Sequence, residues 1–321
     1  MAKQTFAGFE QDVTAIRGVR LSMEQKVKGA EPEWSLLAAD EVTGDLSDGT
    51  KIIAALKQLK EKLGMAASDR VSVCLSGKQT YAVEMDVKKL PDSDMPGMLK
   101  LELRKTMPFE AVMSTFNYQF LSAGSNQPKD ADVPLLVSAA ANALLNKVVH
   151  SYDKAGMPPY HVDILPISIA NAFWAAQPGG EASNEAHVML HFGCDVCTLV
   201  IDGDTNPFFN RTFAFNIDEL IASSGAVKKA GDALSDLDLQ MNVLASEVTK
   251  SISYYRNTNR GANVTKITVM GNHASHPMFK TLGEKIGYEM QPVQTAKLFQ
   301  TAASPEPGKY DVAMALAMQA A

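Results

Sequence analysis

The stretch "HFGCDVCTLVIDGD", His191 to Asp204, crowds more reactive side chains together than any other part of the chain. A Cys-x-x-Cys with a His three positions before it suggests a redox pair or part of a zinc site. A redox motif of this spacing normally opens a helix, whose N-terminus lowers the thiol pKa. The apolar and β-branched neighbours of Cys194 and Cys197 predict strand, turn and strand instead, so that help is missing. A structural zinc takes four ligands. His191 and the two cysteines supply three, and the remaining cysteine, Cys74, brings no second pair. The bland reading is two small side chains in a hairpin. Asp202 and Asp204 flank Gly203 as a hairpin tip, without the later Glu of a calcium loop. His273 and His276 flank the turn "MGNHASH", with no third ligand near them in sequence. No Ser-His-Asp set stands in a nucleophile-elbow context.

Composition narrows the classes further. The 321 residues are 46% hydrophobic and 21% charged, ordinary for a globular chain of two domains or one divided one. The formal charge is −6, from 36 acidic and 30 basic residues. No basic face dominates, which argues against nucleic acid; "KQLKEKLG" reads as a solvated helix face. Three cysteines make no disulfide framework. "MAKQTFAGFEQDV" lacks the apolar core of a signal peptide. No stretch approaches the roughly 20 apolar residues that span a bilayer. The expectation is a reducing, cytoplasmic compartment, with any membrane association made through a partner. The 16 methionines are scattered and read as core fill.

The elements that must carry these residues are legible from period and punctuation. "TFAGFEQDV", "AIRGVRLSMEQ" and "EWSLLAADEV" read as strands. "DGTKIIAALKQLKEKLG" reads as a helix with Ile52, Leu56, Leu59 and Leu63 on one face and Gly64 as its stop. "RVSVCLSG" and "TYAVEMDVKKLP" are strands. "DMPGMLKLELRKTMPFE" is a helix ending before Pro108. "STFNYQFLSAG" is a strand alternating Phe116, Tyr118 and Phe120. Loops are expected at "GSNQPKDAD" and at the linker "PGGEASNEA". Strand-then-helix units follow in "VPLLVSAAANALLNKVVHSYDKAGM" and "VDILPISIANAFWAA". After the hairpin comes a long helix with a stripe of Leu237, Met241, Leu244, Val248, Ile252 and Tyr255. "KITVMGNHASHPMFKTLGEKIG" reads as strand, turn and helix, and "YDVAMALAMQAA" as a closing helix. The order predicts two α/β halves, each opening on a β-hairpin, with a small αβ insertion in the first.

This layout resembles the actin-like (ribonuclease H-like) ATPase superfamily, and within it the PilM-type family of type IV pilus platform proteins, relatives of FtsA. The most specific stretch is "LKLELRKTMPFEAVMSTFNYQFL", followed by "LLVSAAANALLNKVVHSYDKAGMPPYHVDILPISIANAF". The resemblance implies a first half of residues 1–79 with 131–180, an FtsA/PilM-type insertion of 80–130 and a second half of 186–321. It also implies two phosphate-holding hairpins and a Gly-rich adenosine turn, where backbone N–H groups meet phosphate. At the first hairpin stand Glu10, Asp12 and Thr14; at the second, His191, Gly193 and Thr198; at the adenosine turn, Gly271 and Asn272. Asp12 replaces a glycine and His191 a carboxylate that would serve Mg²⁺. Glu247 and Lys250 match a ribose-contacting pair, or form an ordinary i,i+3 ion pair. The implied function is a scaffold with weak or no ATPase activity, requiring no cofactor, or holding ATP or ADP with Mg²⁺ at low affinity. The implied partner is the cytoplasmic N-terminal tail of a PilN-like single-pass inner-membrane protein, bound as an extended peptide between the insertion and the first main domain. Self-association is a further expectation; nucleic acid and direct membrane insertion are not. Met107, Pro108 and Phe109 are the candidate peptide-binding residues, with Met107 and Phe109 plugging the insertion's own core as the alternative. An active ATPase of this fold, the equivalent type II secretion subunit, and a thiol or metal protein remain open.

Overall fold

A computed structural model describes residues 4–25, 32–121, 132–177, 185–203, 205–224, 236–301 and 305–321, with backbone only at 223, 224, 236 and 237. The strands are β1 (Gln4–Gln11), β2 (Ala15–Glu24), β3 (Glu33–Thr43), β4 (Arg70–Leu75), β5 (Thr80–Lys88), β6 (Ser114–Phe120), β7 (Asp132–Ala141), β8 (Pro159–Ile164), β9 (Glu185–Phe192), β10 (Val196–Gly203), β11 (Asn206–Ala214), β12 (Asn263–Gly271) and β13 (Glu289–Pro292). The helices are α1 (Gly49–Lys62), α2 (Met95–Thr106), α3 (Asn142–Lys154), α4 (Leu165–Ala175), α5 (Ile217–Ser224), α6 (Asp236–Thr258), α7 (Met278–Ile286) and α8 (Asp311–Gln319).

Two five-stranded sheets repeat one topology, β3-β2-β1-β4-β8 and β11-β10-β9-β12-β13. In each, an antiparallel hairpin continues into strands parallel to its first member. Strand β1 shows why no alternation is visible there. Ala7 and Phe9 face one helical layer with Leu56 and Leu59, while Phe6 faces α8, so both sides are apolar. Helix α1 starts where Asp48 accepts the Lys51 N–H at 3.0 Å, and Gly64 beyond its end is left-handed at φ 60°. In α6, Met241, Leu244, Val248, Ile252 and Tyr255 are buried as the stripe requires; the side chain of Leu237 lies outside the described residues.

Two expected boundaries move. The third sheet, β5-β7-β6, continues to Ala141 and so passes residue 130, because β7 pairs along its length with β5. Helix α8 falls in the segment assigned to the second half, yet it sits on the first sheet. Its Ala313, Met314 and Ala317 pack on Phe6, Val19 and Leu21, while Val312, Ala315 and Leu316 join a core with Met189, Val200 and Met270 of the second sheet. A helix apolar all round must be covered all round. The expected loop 124–132, the linker 178–186 and Asp204 fall largely or wholly outside the described residues.

In the insertion, Met95, Leu99 and Leu103 of α2 cover Val87, Val133, Leu135 and Val137. Strand β5 is tied to the second half, since Glu84 accepts the Phe208 N–H at 2.6 Å and Asn210 donates to the Ala82 carbonyl at 2.9 Å. Strand β6 is the other edge, paired among the described residues with β7 alone.

Candidate functional site

The two hairpins meet at their tips. Each closes by the same tight turn: Asp12 N–H donates to Ala15 O at 2.8 Å, and Gly193 N–H to Val196 O at 2.9 Å. The Asp12 carboxylate reaches across, taking the Cys194 N–H on one oxygen and the Val13 N–H, at 2.6 Å, on the other. Gly193 makes room, because a Cβ there would stand 2.9 Å from that carboxylate. Burial pushes Asp12 up, with Glu10 adding to it, and the two N–H donors only partly offset them.

Behind the tips lies a buried polar knot. Glu10 Oε1 is 3.1 Å from Arg17 Nη1 and 2.9 Å from His191 Nε2, and all three residues are 3% exposed or less. Arg17 also donates to the Asn272 side-chain oxygen and lies 3.5 Å from Glu41, which in turn holds Lys309. Burial pushes the Glu10 carboxyl up, but the facing charges of His191 and Arg17 outweigh it and hold the group below its ordinary value. Arg17, Glu41 and Lys309 were not expected here. The Arg17 signal was present: folding "EQDVTAIR" about its turn sets Glu10 opposite Arg17 in the β1–β2 register.

The turn after β12, which the resemblance assigns to adenosine, closes the far side. Gly271 is left-handed at φ 86°, and a Cβ would stand 2.3 Å from Phe192 O. Asn272 N–H donates to Phe192 O at 2.7 Å. His273 adopts φ 56°, a strained choice for a residue with a Cβ, and its Nε2 stands 2.7 Å from Asp218. A cleft of about 700 Å³ opens between these walls, lined by Thr14, Glu41, Asp45, Asp218, Asn272 and Lys309 among others. Thr198 does not line it; paired with His191 across the hairpin, it bonds Thr212 at 3.0 Å. Glu247 and Lys250 do not line it either. They pair with each other at 3.2 Å, and Glu247 pairs with Arg211 at 2.6 Å.

These residues do not fit a magnesium nucleotide. A carboxylate already takes the N–H that a phosphate would use, His191 offers no hard oxygen to Mg²⁺, and Arg17 is committed to Glu10. The lining carboxylates Glu41, Asp45, Asp218 and Glu306 outnumber Arg17 and Lys309. Nor does the cysteine pair form a reactive centre. Cys194 sits at the tip and Cys197 inside the sheet, and burial raises both thiols. Among the described residues no cluster of potential metal ligands forms, and no helix is long and apolar enough to cross a membrane.

The insertion offers two hollows. Met107, Pro108 and Phe109 line one of about 460 Å³ at the end of α2, with Arg104, Glu110 and Val112. Met107 packs on the insertion's core, whereas Phe109 is half-buried outside that cluster. The second, about 230 Å³, lies between the insertion and the first sheet, lined by Phe116, Asn117, Ala139, Leu145, Val162 and Asp163. A short 3₁₀ turn, Ala111–Met113, joins the two along the chain.

Comparison with solved structures gives the same architecture. A PilM–PilN type IV pilus biogenesis complex matches with a TM-score of 0.81 at 16% identity, covering 98% of each chain. A Bacteroides thetaiotaomicron protein with an actin-like ATPase fold matches at 0.50, with 9% identity over 98% of this chain and 96% of that one. The ethanolamine utilization protein EutJ from Carboxydothermus hydrogenoformans matches at 0.52, with 12% identity over 99% and 90%. At these identities the likeness establishes the actin-like fold. Comparison with curated proteins gave no match. The family model for type IV pilus assembly protein PilM matches residues 14–223. The chain therefore belongs to the PilM family of type IV pilus assembly proteins.

Proposed function

We propose that the chain is a cytoplasmic scaffold of a pilus assembly platform, binding the extended N-terminal tail of a PilN-like single-pass inner-membrane protein, with ATPase activity weak or absent. The observation that carries the tail-binding reading is the hollow between the insertion and the first sheet, beside the outer edge of β6. An open strand edge accepts a peptide through main-chain hydrogen bonds, and pockets read alternate side chains. The PilM of the matched complex is solved with PilN, which supports a partner of that kind. Phe109 lines the neighbouring hollow at the end of α2, and its part in tail binding is a separate element of the proposal.

The test is titration of a synthetic tail peptide into wild type and Phe109→Ala. The expected result is saturable binding, weakened by about 2 kcal/mol in the variant, with the thermal midpoint little moved. Unchanged affinity with a stability loss of about 3–5 kcal/mol would instead make Phe109 a core residue and sink its part in the interface. Phosphate release from ATP–Mg²⁺ is expected near background; turnover abolished by Glu10→Ala would overturn the inactive reading.

A further inference from the structure

The contact between the hairpin tips has the form of an anion site. Successive backbone N–H groups in tight turns make a concavity that suits phosphate or carboxylate. Here the donors come from both halves of the molecule: Val13 from the first and Cys194 from the second. Glycine at 193 keeps the space open for the group they hold.

We propose that Asp12 is a built-in anion: its carboxylate occupies the nest formed by the two tips, excludes phosphate-bearing ligands in cis, and bridges the halves as a bound phosphate would. The nest is thus a latent site for phosphoanions, opened by removing one side chain. A ligand that needs the nest empty binds with an affinity reduced by the fraction of time it is empty. The same carboxylate repels the incoming anion whenever it is displaced. This inference stands apart from tail binding and is tested without the peptide.

The experiment is calorimetric titration of the full chain with inorganic pyrophosphate and with ATP–Mg²⁺, comparing wild type, Asp12→Gly and the shorter-chain Asp12→Ser. Either folded variant should bind pyrophosphate at least roughly tenfold more tightly than wild type. Adding Gly193→Ala to Asp12→Gly should remove the gain, because the new Cβ enters the emptied nest. A folded variant that binds no more tightly than wild type overturns the proposal. So does wild type that already binds pyrophosphate as tightly as the variants. Should neither variant fold, hydrogen exchange on wild type decides. The Cys194 amide is expected to exchange far more slowly than the neighbouring Asp195 amide, and equal exchange refutes the occupied nest.

Discussion

At the scale of single residues, the balance between burial and partner groups differs from one buried carboxyl to the next. Glu10 faces His191 and the Arg17 guanidinium, which outweigh its burial, and stays below its ordinary range. Asp311, at the start of α8, faces no such charge. Burial pushes it up to about 6, against the Thr295 N–H that it accepts at 2.6 Å. The folded chain therefore keeps this proton up to about pH 6, whereas the unfolded chain releases it near the ordinary aspartate value of 3.8. Between those values the folded state binds more protons, so this group makes the fold less stable as pH rises through the window. Asp311→Asn should remove that slope. Between about pH 4 and 7 wild type should lose on the order of 2–3 kcal/mol relative to the variant. Denaturant unfolding of both proteins across that range checks it; parallel stability curves would reject the raised pKa.

At the scale of elements, β1 and α8 approach closely at Gly8. A Cβ on Gly8 would stand 1.9 Å from Ala313 O and 2.5 Å from Ala317 N, both backbone atoms of α8. Neither atom can swing aside as a side chain would. Gly8→Ala should therefore force α8 off the sheet and destabilise the fold by about 3 kcal/mol or more, the upper end of overpacking effects. By contrast, a Cβ on Gly49, at the start of α1, meets nothing within 4 Å, and Gly49→Ala should be close to neutral. Thermal melts of the two variants side by side separate a packing requirement from a general intolerance of alanine for glycine.

At the scale of the whole molecule, the two halves are joined by a continuous core through α4 and α8 and by the polar knot at the cleft. The knot draws Glu10 and Arg17 from the first half and His191 and Asn272 from the second. Removing one partner leaves the other buried charge uncompensated, whereas removing both leaves less to desolvate. Arg17→Met should cost about 3–5 kcal/mol. The double variant Glu10→Gln with Arg17→Met should recover part of that loss, giving a coupling energy that a double-mutant cycle measures. Additive losses would mean that the two side chains act separately and that the knot is not a unit.

The sequence alone carried most of the elements and their order, because period, capping residues and turn residues act over a few neighbouring positions; α5 and β13 were not read from it, and the family entered as a resemblance of motifs. The helix from Gly49 to Lys62, the alternation along β6 and the hairpin at Gly193 were all readable in this way. Against the hairpin pattern that the resemblance implies, Asp12 and His191 stand out as departures. Only the tertiary structure decided where the Asp12 carboxylate goes, since its partner amide is 182 residues away. It likewise decided that α8 packs on the first sheet, and that Glu247 pairs with Arg211 on β11, away from the residues that line the cleft. The reason is physical. A side chain's own neighbours set its local conformation, but which buried donor or apolar face it meets depends on how distant elements pack, and no local period encodes that.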